Sequence, residues 1–128
     1  MSPSTKRILR NQTKLRFDYK IVLISNDWML NYHTPSRRIG WGNGYVCIPP
    51  GHPYHNRDYD EIPVNVHGGL TYGQQRCPGQ NNIPPEYYVV GFDTAHSRDS
   101  LARWPKEAVL REAQSLQQQL KDLWTNLT

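Results

Sequence analysis

The chain has 128 residues, enough for one domain and too few for two, and with 37% hydrophobic residues, 10 Pro and 9 Gly it promises a modest core among turns and ordered loops. Its net charge of +4 is uneven, because residues 1–40 hold eight Lys or Arg against two acids while residues 41–128 hold seven against nine. No run approaches the ~18 apolar residues of a membrane span and the basic start lacks the apolar segment of a secretory signal, so a cytoplasmic protein with no membrane partner is expected.

Lys6, Arg7, Arg10, Lys14 and Arg16 could attract phosphate or nucleic acid by charge alone, yet no aromatic is interleaved before Phe17. Residues 1–14 therefore read as a basic, partly flexible leader ahead of a single domain over 15–128, and nucleic acid is not the expected partner. Alternation from Leu15 to Lys20 running into Ile21-Val22-Leu23-Ile24 predicts a strand over about 17–25. Residues 26–40 read as a loop, with Trp28 and Tyr32 folded back onto the core.

Gly42-Asn43-Gly44 signals a turn, and Tyr45-Val46-Cys47-Ile48 predicts a strand over 44–48 closed by Pro49-Pro50. The long loop PPGHPYHNRDYD follows, irregular by composition but rich in His, Tyr and Arg. Ile62, Val64 and Val66 alternate with polar positions and predict a strand over 62–67, with His67 on the face opposite the apolar side chains. Gly73 to Pro85 reads as a polar loop, and Tyr87 to Phe92 as a strand over 86–92 that delivers Asp93 at its end. Pro105 suits a first helical turn, after which Val109, Ala113, Leu116, Leu120, Leu123 and Leu127 form one stripe, predicting an amphipathic helix over about 105–126. The expected fold is α+β: a small antiparallel or mixed sheet of about four strands against a long C-terminal helix. A core this small raises the chance of homo-oligomerisation, although the helix has too few heptads for a dimerising coiled coil to be preferred despite the room that Gln117-Gln118-Gln119 leave.

The chemistry-bearing residues crowd into two stretches, His67-Gly68-Gly69 and Asp93-Thr94-Ala95-His96-Ser97-Arg98-Asp99. Histidine exchanges protons near neutral pH, and a carboxylate beside it fixes its tautomer. Asp93 and Asp99 each stand three residues from His96, which suits such pairing but equally suits two turn-capping acids around a packed histidine. His67, His96, Asp93 and Asp99 are the candidate catalytic set. The candidate ligand-binding set is His52, Tyr54 and Arg57 on the long loop, Gly68, Gly69, Thr71 and Tyr72 after His67, and Arg98.

One arrangement makes His67 and His96 an acid and base across a phosphodiester, with Arg57, Arg76 or Arg98 neutralising the phosphate and Tyr45, Tyr54, Tyr59, Tyr72, Trp28 or Trp41 stacking a base. The other takes the two histidines and one acid as ligands of a divalent metal, although no HExxH-like motif accompanies them. No cofactor is legible beyond that metal. Phosphate-binding glycine loops and the GxSxG elbow are absent, and Cys47 and Cys77 read as reduced thiols, Cys77 the more accessible, outside any zinc-ligand spacing.

Gly44-Tyr45-Val46 with Pro49 and His52-Pro53, then Val66-His67-Gly68-Gly69-Leu70-Thr71-Tyr72, then Gly91-Phe92-Asp93 with Ala95-His96 and Asp99, resembles a family of small proteins frequent in bacteriophages and prophages. The similarity spans about residues 40–100. This sequence departs from the family's pattern at Thr94, where many relatives carry Cys, and at Arg98, where many carry Gly. The resemblance implies a phage protein in the cytoplasm of an infected bacterium, of a kind that counters host defence, including defence signalled by cyclic nucleotides. On that footing the expected function is hydrolysis of a phosphodiester in a small nucleotide signal. The alternatives are a sponge that sequesters the nucleotide unchanged, or an inhibitor that binds nucleic acid or a host protein through the basic N-terminus.

Overall fold

The structure, a computed structural model, describes residues 16–27 and 38–127. The leader, Trp28 and Tyr32 lie outside this range, as does the side chain of Leu127. Four strands, β1 (Ile21–Ser25), β2 (Gly42–Ile48), β3 (Tyr72–Gln74) and β4 (Tyr88–Phe92), form one antiparallel sheet in the order β1-β2-β4-β3, and α1 (Lys106–Leu127) packs on it. This is the expected α+β architecture. No helix of the described chain is long and apolar enough to cross a membrane.

Alternation sorts the strands onto two faces. Val46, Ile48, Tyr88, Val90 and Phe92 meet Val109, Ala113, Leu116 and Leu120 of α1, the four helix residues being wholly buried. Gly44 permits the close approach, because a Cβ there would stand 2.7 Å from the Phe92 ring and 3.2 Å from the Ala113 methyl. On the opposite face Val22, Tyr45, Cys47 and Val89 are covered by Phe17, Cys77, Ile83 and Tyr87. The polar loop after β3 is thus the lid of a second small core. Both thiols are free and buried in it, and desolvation pushes Cys47 up to about 12 and Cys77 up to about 11. Cys77, expected to be the more accessible, is only marginally so at 4% exposure against 0% for Cys47.

Three element readings differ from expectation, the first being Gly42-Asn43-Gly44, which were expected as a turn and instead open β2, paired with Ser25, Ile24 and Leu23 of β1. Residues 16–19 form a turn, with Tyr19 at φ 60°, so β1 starts at Ile21. The alternating segment 62–67 does not join the sheet. Ile62 and Val66 enter the helix-side core, but the Asn65 backbone pairs with a side chain instead of a strand: its N–H donates to Gln119 Oε1 at 2.7 Å and its carbonyl accepts from Gln119 Nε2 at 2.9 Å. Pro63, which has no N–H, suits that solution better than a ladder. The fourth strand is instead Tyr72–Gln74, which lacks an apolar pattern, and the Tyr88 hydroxyl lies where a Cβ of Gly73 would be. Gln117 likewise donates to Tyr19 O at 2.8 Å, so two of the three glutamines serve this chain's own packing.

Candidate functional site

The segment after β4 is tied to the start of β2. Thr94, fully buried, donates from Oγ1 to Gly42 O at 2.7 Å, Gly40 N–H reaches Thr94 O at 2.8 Å, and Asn26 Nδ2 reaches Gly40 O at 3.1 Å. Thr94 is therefore an anchor rather than a group open to ligand. Beyond it the two acids build the turn: Asp93 Oδ1 accepts Ala95 N–H at 3.0 Å, Asp99 Oδ2 accepts His96 N–H at 2.8 Å, and Asp99 N–H returns to His96 O at 3.0 Å. The turn-capping role holds for both.

Asp99 does more. It is buried at 5% exposure, and its other oxygen accepts the His67 Nε2–H at 2.8 Å. His67 reaches it from a tight turn in which Gly69 N–H bonds to Val66 O at 2.9 Å, with Gly68 and Gly69 at φ 70° and 78°. The His67 ring lies on Trp104, with centroids 4.2 Å apart, and its neighbour is His96, centroids 5.4 Å apart and planes nearly perpendicular. His96 Nε2 sits 3.0 Å from Asp93 Oδ1, within ion-pair range, yet makes no directed hydrogen bond to a described residue. The distance is short but the alignment is poor. The fold thus brings His67, His96, Asp93 and Asp99 into one cluster, each ring beside its own carboxylate.

Gly68 belongs to it, because a Cβ at that position would overlap the His96 imidazole. Gly68→Ala combines that overlap with a left-handed backbone, and is expected to lower stability by about 1–3 kcal/mol and to displace the His96 ring. Urea unfolding and the His96 ring NMR signals would check it; an unchanged spectrum would mean that the close approach is absent in solution.

Two open grooves flank the histidines. His96 lines one of about 540 Å³ with Arg38, Ser97, Arg98, Asp99, Ser100 and Arg103. His67 lines another of about 710 Å³ with Asn65, Val66, Gly68, Glu112, Ser115 and Gln119. No protein-family model, curated protein or solved structure matches this chain.

The other expected ligand residues are dispersed. Arg57 is exposed and paired with Glu61 at 2.6 Å, and the Tyr72 hydroxyl donates to Arg76 O at 2.6 Å while its ring packs edge-on against Tyr45 on the second face of the sheet. Thr71 is exposed, bonded through its N–H to Gly91 O at 2.9 Å, and Gly69 faces open space. Among the stacking aromatics proposed for a base, Tyr45 is buried and Trp41 carries Lys106 Nζ 5.5 Å from its ring centre. The metal arrangement does not form either: among the described residues no three His, Cys, Asp or Glu side chains are grouped to hold an ion. Asp93 and Asp99 each attend a different histidine.

His52 is a core residue at 4% exposure, with Tyr19, Tyr54 and Trp124 around its ring. Its Nε2–H donates to Leu120 O at 2.8 Å and its Nδ1 accepts Tyr54 N–H at 3.1 Å, an arrangement that only the neutral ring satisfies. Burial, with a smaller opposing effect of the Leu120 carbonyl, lowers its pKa below 6.5. The unfolded chain therefore binds the proton first as pH falls. This contribution to stability is complete above about 6.5 and is lost as pH drops from there toward the lowered folded value. Urea midpoints at pH about 8 and about 5.5 should show the decline, and His52→Gln should reduce the difference.

Trp104, Arg38 and Arg103 join the site without having been singled out from the sequence. Arg103 had a signal, five residues after Arg98 in a short polar segment ending at Trp104-Pro105. Arg38 had none, being 58 residues from His96 in the chain.

Proposed function

We propose that this protein binds a small nucleotide and hydrolyses its phosphodiester with His67 and His96. The observation that carries the reading is the pair of imidazoles 5.4 Å apart, each within 3.0 Å of its own carboxylate, beside a groove that holds Arg98. Asp99 holds the His67 proton on Nε2, which makes Nδ1 the nitrogen proposed to act on substrate, while Asp93 stands 3.0 Å from His96 Nε2 without an aligned hydrogen bond. One ring takes a proton from the attacking water as its oxygen bonds to phosphorus, and the other gives a proton to the departing ribose oxygen. Incubation with a panel of cyclic mono- and dinucleotides, followed by chromatography, tests it: linear products are expected, and none with or without Mg, Mn or Zn would sink the hydrolase.

A second reading, a sponge that holds the nucleotide without chemistry, is favoured by a different observation. The two rings touch edge to face, leaving no room for a phosphate between them, and they border separate grooves. Intact nucleotide recovered after denaturing a complex would select the sponge.

A further inference from the structure

The groove beside His96 gathers Arg38, Arg98 and Arg103, all exposed, and none is within ion-pair distance of a carboxylate among the described residues. The acid that lines it, Asp99, has one oxygen bonded to His67 and the other to the His96 backbone. Asp93 attends His96 Nε2 and the Ala95 N–H. Three arginines thus line one groove in which, among the described residues, no carboxylate is free to meet them, and Ser97 and Ser100 line it too. The backbone gives an independent sign. Arg98 sits at φ 73°, a conformation in which glycine is relaxed and an arginine is strained. That position lies on the groove wall, and Arg103 Nη1 lies 3.5 Å from the Arg98 backbone carbonyl oxygen.

We infer that Arg38, Arg98 and Arg103 form a subsite for a group bearing two or more negative charges, the linked phosphates of a diphosphate-containing nucleotide. Three guanidinium forks match the several oxygens of a diphosphate, whereas the single charge of one phosphodiester would leave most of that field unanswered. The inference rests on the nucleotide reading for the remainder of the ligand, and it changes the ligand sought: nucleotides with linked phosphates are selected over cyclic mononucleotides.

Inorganic pyrophosphate and orthophosphate, titrated into the full chain by calorimetry, separate this inference from the hydrolase. Pyrophosphate is expected to bind saturably and about tenfold or more tighter than orthophosphate, with the difference shrinking as salt is raised. Arg38→Ala and Arg103→Ala should each weaken pyrophosphate about tenfold or more, and Arg111→Ala on the exposed side of α1 should not. Arg98→Gly should weaken it similarly while Tm stays level or rises, which a purely structural role for Arg98 would not produce. No binding, equal affinity for the two anions, or binding that survives the Arg38→Ala/Arg103→Ala double variant would overturn the inference, and each can occur whether or not a cyclic nucleotide is cleaved.

Discussion

Leu116→Asp is expected to abolish the folded state at 25 °C. Leu116 is wholly buried in the core that Val109, Ala113 and Leu120 of the same helix form with the β2–β4 face, so the substitution removes a core side chain and places a carboxylate among apolar neighbours. Loss of the leucine costs about 2–5 kcal/mol, and desolvating the carboxylate or forcing it to protonate adds several more. A domain of this size has about 5–15 kcal/mol in total. Near-ultraviolet circular dichroism and a thermal scan read the result directly. Leu110→Asp, at an exposed position of the same helix, is the matched control and should move stability by no more than about 0.5 kcal/mol. Equal Tm values for the two variants would show that the helix is not docked through this stripe.

His96→Ala is expected to lower turnover of any cleaved nucleotide by about 100-fold or more, the scale of a positioned proton-transfer group, with a much smaller change in affinity. His67 needs more care, because it also holds Asp99 and lies on Trp104. His67→Gln keeps an amide N–H for Asp99 but cannot exchange protons near neutral pH, so it should preserve Tm better than His67→Ala while losing turnover equally. If the protein is a sponge, the pattern inverts. Affinity then falls by about 1–3 kcal/mol for a lost buried hydrogen bond, and the parent shows no turnover to lose. Turnover that survives both His96→Ala and His67→Gln would remove the histidines from the mechanism.

The candidate cluster was legible as a list of residues but not as an arrangement. His67, Asp93, His96 and Asp99 stood out by type and by their positions next to predicted strand ends, and the structure brings all four together. Their partnerships were not legible. Spacing offered His96 two equivalent acids, whereas Asp99 gives its side chain to His67, 32 residues away, and only the His96 backbone to the other oxygen. His52 had the same chemistry and a comparable loop setting, yet Trp124 and the Leu120 carbonyl enclose it. A histidine's role depends on what covers it, and that cover comes from the far end of the chain.

Local periodicity determined the helix, three of the four strands and the α+β class, because an apolar stripe or a β-branched run must be buried on one face whatever its neighbours are. Tertiary structure decided what periodicity cannot encode. Segment 62–67 alternates like a strand but has its Asn65 backbone satisfied by Gln119, while Tyr72–Gln74, with no pattern of its own, completes the sheet because β4 has an open edge and Gly73 leaves room for Tyr88. Arg38 reaches the Arg98–Arg103 groove in the same way, since side chains distant in sequence become neighbours only when the ends of β2 and β4 are tied together through Gly40, Gly42 and Thr94.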